Sequence, residues 1–103
     1  KLRYVRNLWN TIIETKPVYD IYSEKLLGLN DFDIDHFVPW SFVANDELWN
    51  LLPMDSSLNS SKSNNLPQWK YFELFAKNQY MMYESAKSSE KIMDKFKKCQ
   101  RYS

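Results

Sequence analysis

The sequence predicts an α+β fold: a short antiparallel hairpin and a short helix at the centre, with longer helices around them. Three observations carry this. Apolar residues recur at helical spacing in the first fifteen positions and again beyond residue 68. Between these stretches, Phe32-Asp33-Ile34-Asp35-His36-Phe37-Val38 alternates apolar and polar, as a half-buried strand does. A second short apolar run, Leu48-Trp49-Asn50-Leu51-Leu52, follows after a loop.

The first helix is expected over residues 2–15, where Leu2, Val5, Leu8, Trp9, Ile12 and Ile13 share the helical period. It ends near Lys16-Pro17, because the residue before a proline avoids helical geometry. Residues 17–30 read as a short strand or turn at Val18–Tyr22 and a turn at Leu27-Gly28-Leu29-Asn30, around the sole glycine. Pro39 closes the first strand, residues 40–47 form a loop, and Pro53 closes the second run. Asp55 or Ser56 then caps a short polar helix over roughly 56–65, ended by Leu66-Pro67. In the tail, Trp69, Phe72, Phe75, Ala76, Tyr80 and Tyr83 share one helical face, and Ile92, Met93, Phe96 and Cys99 form a second stripe. Both stripes read as core packing. Residues 1–103 are expected to form a single domain, with its core at about 31–67 and flanking helices at about 2–15 and 68–100.

Composition bounds the class. A chain of 103 residues fits one domain with a modest core. At 44% apolar and 17% aromatic, it is too rich in core-forming side chains for a disordered segment. Cys99 is the only cysteine, which rules out an internal disulfide and a cysteine-based zinc site and is compatible with a cytoplasmic setting. No apolar run approaches a membrane span, and the charged, amphipathic start does not read as a secretory signal. The opening Lys1 reads as a piece of a longer protein or a processed start. Net charge is only +1, but it is uneven. Residues 1–50 carry five Lys/Arg against eight Asp/Glu, and residues 51–103 carry nine against five. An acidic half suits a cation, and a basic half suits phosphate.

The chemistry-bearing pair is Asp35-His36. A carboxylate binds a hard cation through oxygen, and a neutral imidazole takes a proton from water near neutral pH. Successive strand residues point to opposite faces, so both serve one site only where the strand ends, twists or bulges; Pro39 lies three residues on. The dipeptide alone fits a hydrogen-bonded structural histidine equally well. Asn50 sits inside an apolar run, where its amide needs hydrogen bonds if it is buried. Either it ties down the 39–47 loop or it points to solvent. Asn59, on the expected short helix, either joins Asp35 on a cation through its carbonyl oxygen or is a polar surface residue. Lys62 follows three residues later on the same face and either meets a phosphate or is simply solvated. Asp33 is a second acceptor near the site or an exposed strand residue.

Together, Asp33-Ile34-Asp35-His36-Phe37-Val38-Pro39-Trp40-Ser41-Phe42, then Asn50, Asn59, Ser60-Ser61-Lys62-Ser63 and Asn64-Asn65-Leu66-Pro67, resemble the HNH endonucleases. Their order and spacing are similar to the HNH domain of CRISPR RNA-guided nucleases and to stand-alone bacterial HNH enzymes. The resemblance implies a ββα-metal core, two strands and a helix around one cation. It implies Asp35 and Asn59 as metal ligands, His36 as general base, Asn50 as the loop-holding asparagine and Lys62 near the scissile phosphate. Many stand-alone relatives also carry two Cys-x-x-Cys pairs for a structural zinc. The corresponding positions here are Tyr19, Tyr22, Asp55 and Leu58, so no structural zinc is expected.

The expected activity is therefore metal-dependent hydrolysis of DNA phosphodiester bonds with one metal ion. Oxygen ligands favour Mg²⁺, with Mn²⁺ as a substitute. DNA is the expected partner, with sequence choice supplied by other domains of a parent protein or by a guide. Two alternatives stand beside this. One is an HNH-fold DNA-binding module without catalysis, and the other is a helical interaction domain in which the Asp-His and Asn residues are coincidental.

Overall fold

In a computed structural model of the chain, residues 2–58 and 65–101 are described. They form helix α1 (Leu2–Ile13), strands β1 (Asp33–His36) and β2 (Leu51–Met54), and helices α2 (Trp69–Ser88) and α3 (Glu90–Arg101). Single 3₁₀ turns lie at Leu48–Asn50 and Ser56–Leu58. The fold is α+β, an antiparallel two-stranded hairpin with three helices around it.

The hairpin register pairs Asp33 with Met54, Ile34 with Pro53, Asp35 with Leu52 and His36 with Leu51. Just beyond β1, the Phe37 N–H donates to the Asn50 carbonyl at 2.8 Å, which fixes the phase of the ladder. Hydrogen-bonded and non-hydrogen-bonded pairs alternate from there, so Pro53 falls where an N–H would point away from β1. For that reason β2 runs through Pro53 to Met54, and the proline does not close the strand as its sequence context suggests. By the same phase the Leu51 carbonyl faces outward, and Gln79 of α2 donates to it at 3.1 Å.

One apolar cluster joins the elements. Val5, Leu8, Trp9 and Ile12 of α1 meet Val18, Leu27, Phe32, Leu48 and Leu51, closed by Met82 and Ala86 of α2 and Ile92 and Cys99 of α3. Burying that many large side chains, at roughly 1.5–3 kcal/mol each, is what holds so small a chain together. Helix α1 packs against α3, and α3 against α2.

The structure departs from the sequence expectation in the tail. A single flanking helix over 68–100 is in fact two. Ser89 is extended, with φ −144° and ψ 124°, and its Oγ accepts from the Ile92 N–H at 3.3 Å, capping the start of α3. The aromatic stripe of α2 is not core either: Trp69 is 84% exposed, and Phe72, Tyr80 and Tyr83 are also exposed. Only the second half of α2 lies over the core, so its buried residues are Asn78, Met82, Ser85 and Ala86. The α3 stripe does face inward through Ile92 and Cys99.

Residues 17–31 form isolated bridges between Tyr19 and Leu26 and between Gly28 and Asp31. The left-handed residue of the second turn is Asn30 (φ 55°), with Gly28 outside that region. Asparagine tolerates this conformation, and Asn10 of α1 fastens it: the Asn10 Nδ2 donates to Asn30 Oδ1 and the Asn30 N–H to Asn10 Oδ1, both at 2.8 Å. Of the helix expected over 56–65, the described part is the 3₁₀ turn, where Asp55 Oδ1 accepts from the Ser57 N–H and hydroxyl at 3.0 Å each.

Candidate active site

Strand β1 ends on His36, so Asp35 and His36 are its last two residues. The backbone then leaves the strand and returns at Asn50. That asparagine is fully buried. Its Oδ1 accepts from the Val38 N–H at 2.8 Å, and its Nδ2 donates to the Val38 carbonyl at 3.0 Å. With the Phe37 bond, one residue engages three backbone groups directly after the Asp-His pair. A buried amide is tolerable only with such partners.

Within the loop, the Phe42 and Val43 N–H groups donate to the Pro39 carbonyl, and the Glu47 N–H donates to Asn45 Oδ1 at 2.7 Å. The path brings Asp46 back to the end of β1, with its Oδ1 2.5 Å from His36 Nε2. Both side chains are partly accessible, at 24% for His36 and 33% for Asp46. Trp40 sets its ring edge-on to the imidazole at 5.7 Å between centroids. On the other side of the backbone, buried Phe37 stacks on Phe75 at 4.1 Å and meets Phe72 edge-on at 5.1 Å. The exposed aromatic end of α2 thus serves as a clamp on the residue next to His36.

Asp35 lies opposite Leu52 and is half-buried. Tyr22 stands within its electrostatic reach. Burial pushes the Tyr22 phenol well above its usual range, and the negative charges of Asp35 and then Asp20 push it further. Tyr22 also packs on Tyr71 of α2 at 4.9 Å. Asp33 accepts from the Ser56 hydroxyl at 3.2 Å. Asn59 and Lys62 lie outside the described residues.

Two residues that matter here carried no signal in the sequence reading. Asp46 sits in the polar loop segment Asn45-Asp46-Glu47, where nothing in spacing or composition ties it to a histidine ten residues earlier. Asp20 is a buried carboxylate, 1% exposed. Its Oδ1 accepts from the N–H groups of Tyr22 and Ser23 at 2.6 and 2.8 Å, and its Oδ2 from the Asp55 N–H at 2.5 Å. Lys25 adds an ion pair to Asp55 at 3.4 Å. The 20–23 turn and the segment around Asp55 are thus joined in this chain through a carboxylate.

Among the described residues, no three His, Cys, Asp or Glu side chains converge as a metal cage. The hairpin instead presents a carboxylate at Asp35 next to an imidazole, an oxygen donor suited to a hard cation that keeps most of its own water and phosphate ligands. In fold class this is a two-stranded antiparallel hairpin closed by helices, carrying Asp-His at the end of its first strand. Residues 20–68 match the model of the HNH endonuclease family. Among the described residues, no helix is long and apolar enough to cross a membrane.

Proposed function

We propose that the chain is a metal-dependent DNA endonuclease that hydrolyses phosphodiester bonds with one divalent cation, in which His36 is the general base. The observation that carries this reading is the placement of Asp35-His36 at the end of β1, inside a matched HNH segment, with the following backbone fastened by Asn50.

HNH nucleases as a class use divalent metals. Asp35, with Asn59, would hold the cation; Mg²⁺ fits oxygen donors, and Mn²⁺ substitutes for it. When bound, it supplies charge stabilisation on the phosphate and on the departing 3′ oxygen. His36 takes a proton from the attacking water, whose oxygen bonds to phosphorus as the bond to the 3′ oxygen breaks. The 3′ oxygen takes a proton from solvent, leaving 5′-phosphate and 3′-hydroxyl ends. Asn50 keeps the loop that holds His36 in one conformation, and Lys62 meets the phosphate. Contacts of this kind grip the DNA backbone and carry no sequence information, so sequence choice comes from other domains or a guide. The reading of the chain as one domain is supported by the core that α1, α2 and α3 share with the hairpin among the described residues.

The test is cleavage of supercoiled plasmid with Mg²⁺, with Mn²⁺ and with EDTA, run beside His36→Ala. Metal-dependent nicking or linearisation that disappears in the variant is the expected result. Equal cleavage by His36→Ala removes the mechanism.

A further inference from the structure

We infer that Trp40 is a stacking platform for an unpaired nucleobase, so that the substrate at this site is DNA with at least one unstacked nucleotide beside the scissile phosphate. This rests on the reading of the chain as a DNA endonuclease acting at Asp35-His36.

The connection that follows β1 has an apolar outer surface. Trp40, Phe42, Val43 and Trp49 are all exposed within it. Exposed apolar side chains clustered this closely mark a binding surface. Trp40 is 52% exposed even though its ring meets the His36 ring at 5.7 Å between centroids. DNA whose phosphate reaches the end of β1 therefore passes the indole. The turn that carries Trp40 is pinned, because the Phe42 and Val43 N–H groups donate to the Pro39 carbonyl at 2.9 and 3.2 Å. A ring presented from a fixed turn loses little freedom on binding.

Charge decides which part of DNA this surface fits. Residues 40–49 hold no lysine or arginine, and they hold two carboxylates, Asp46 and Glu47. Phosphates are gripped by cations and polar donors, so this stretch is a poor partner for the backbone. An uncharged base meets no such repulsion and offers a flat π-face to an indole. In a duplex, neighbouring bases cover both faces, and only an unpaired or flipped nucleotide presents one. Stacking accepts every base, which suits a site that reads no sequence of its own.

The test is binding of a fluorescently labelled oligonucleotide, free and annealed to its full complement, by the whole chain in EDTA. The unpaired strand is expected to bind more tightly. In Trp40→Ala the ratio of the two dissociation constants is expected to move toward parity by about 5- to 150-fold. A general loosening of the loop would weaken both DNAs alike and leave the ratio where it was. Trp40→Phe keeps a smaller flat ring and is expected to retain part of the preference. Should Trp40→Ala fail to fold by circular dichroism, Trp40→Phe decides by fluorescence: the unpaired strand is expected to quench tryptophan emission in the parent and to quench it less in this variant. Tighter binding of the duplex by the parent, no binding of the unpaired strand, an unchanged ratio in folded Trp40→Ala or an unchanged quench in Trp40→Phe overturns the platform. Binding is read without metal, so these outcomes are separate from the nuclease reading, which falls where His36→Ala still cleaves plasmid.

Discussion

Asn50 and Val38 exchange two side-chain-to-backbone hydrogen bonds, at 2.8 and 3.0 Å, across a separation of twelve residues. Through this pair, one amide side chain fixes the exit from β1 and the return to β2. Replacing Asn50 by Ala leaves the Val38 N–H and carbonyl without it, at about 1–3 kcal/mol for each group left unpaired. The expected result is a sharp loss of nicking with the helical core still folded, seen as unchanged far-ultraviolet circular dichroism and faster amide exchange at Val38. Cleavage by Asn50→Ala at the parent rate would sever the loop from catalysis.

Asp20 offers a second such test, on stability alone. Three backbone N–H groups, of Tyr22, Ser23 and Asp55, depend on its carboxylate. Hydrogen bonds to a charged acceptor contribute about 1.5–3 kcal/mol each, and neighbours do not add in full. Asp20→Ala is therefore expected to cost at least about 3 kcal/mol in urea unfolding. A change below about 1 kcal/mol, nearer the scale of a surface substitution, would show that the carboxylate is not the joint between the 20–23 turn and Asp55.

The clamp on Phe37 separates packing from chemistry. Phe37 is buried between Phe72 and Phe75. Truncating it to Ala should cost about 3–5 kcal/mol. Phe72→Ala should cost less, because Phe72 is 38% exposed. Urea unfolding of the two variants side by side checks the order, and equal losses would mean that the exposed ring is as well packed as the buried one.

Alkaline pH should destabilise the domain. Burial pushes the Cys99 thiol from 9.0 up to about 11, and burial, then Asp35, pushes Tyr22 above its ordinary 10.0. Both groups are neutral when protonated and keep their protons longer in the folded chain. Unfolded chains therefore lose protons first, and stability present below pH 9 declines as pH rises through about 11. Melting temperatures across that range should fall. Native Cys99 should also resist alkylation at pH 8 while the urea-unfolded chain reacts, since the thiolate is the nucleophile. Rapid native alkylation would contradict its burial.

Much of the fold was legible in local pattern. Helical period gives α1 to within two residues of its end, and alternation finds β1, because each depends on which face of a single segment meets the core. Asn50 stood out as a polar residue inside an apolar run, and Asp35-His36 as a carboxylate and an imidazole adjacent in the chain. Ladder phase, and with it Pro53 inside β2, depended on the Phe37–Asn50 bond between distant positions. The outward-facing aromatics of α2 depended on how far that helix overhangs a small core. Asp46 on His36 and Asp20 on Asp55 are contacts across ten and thirty-five residues, between groups that look like ordinary surface carboxylates in sequence. A sequence records which side chains are available, and periodicity tells which of them turn inward. Which carboxylate reaches which imidazole or N–H is set by where loops return in space, and only the tertiary structure decided that.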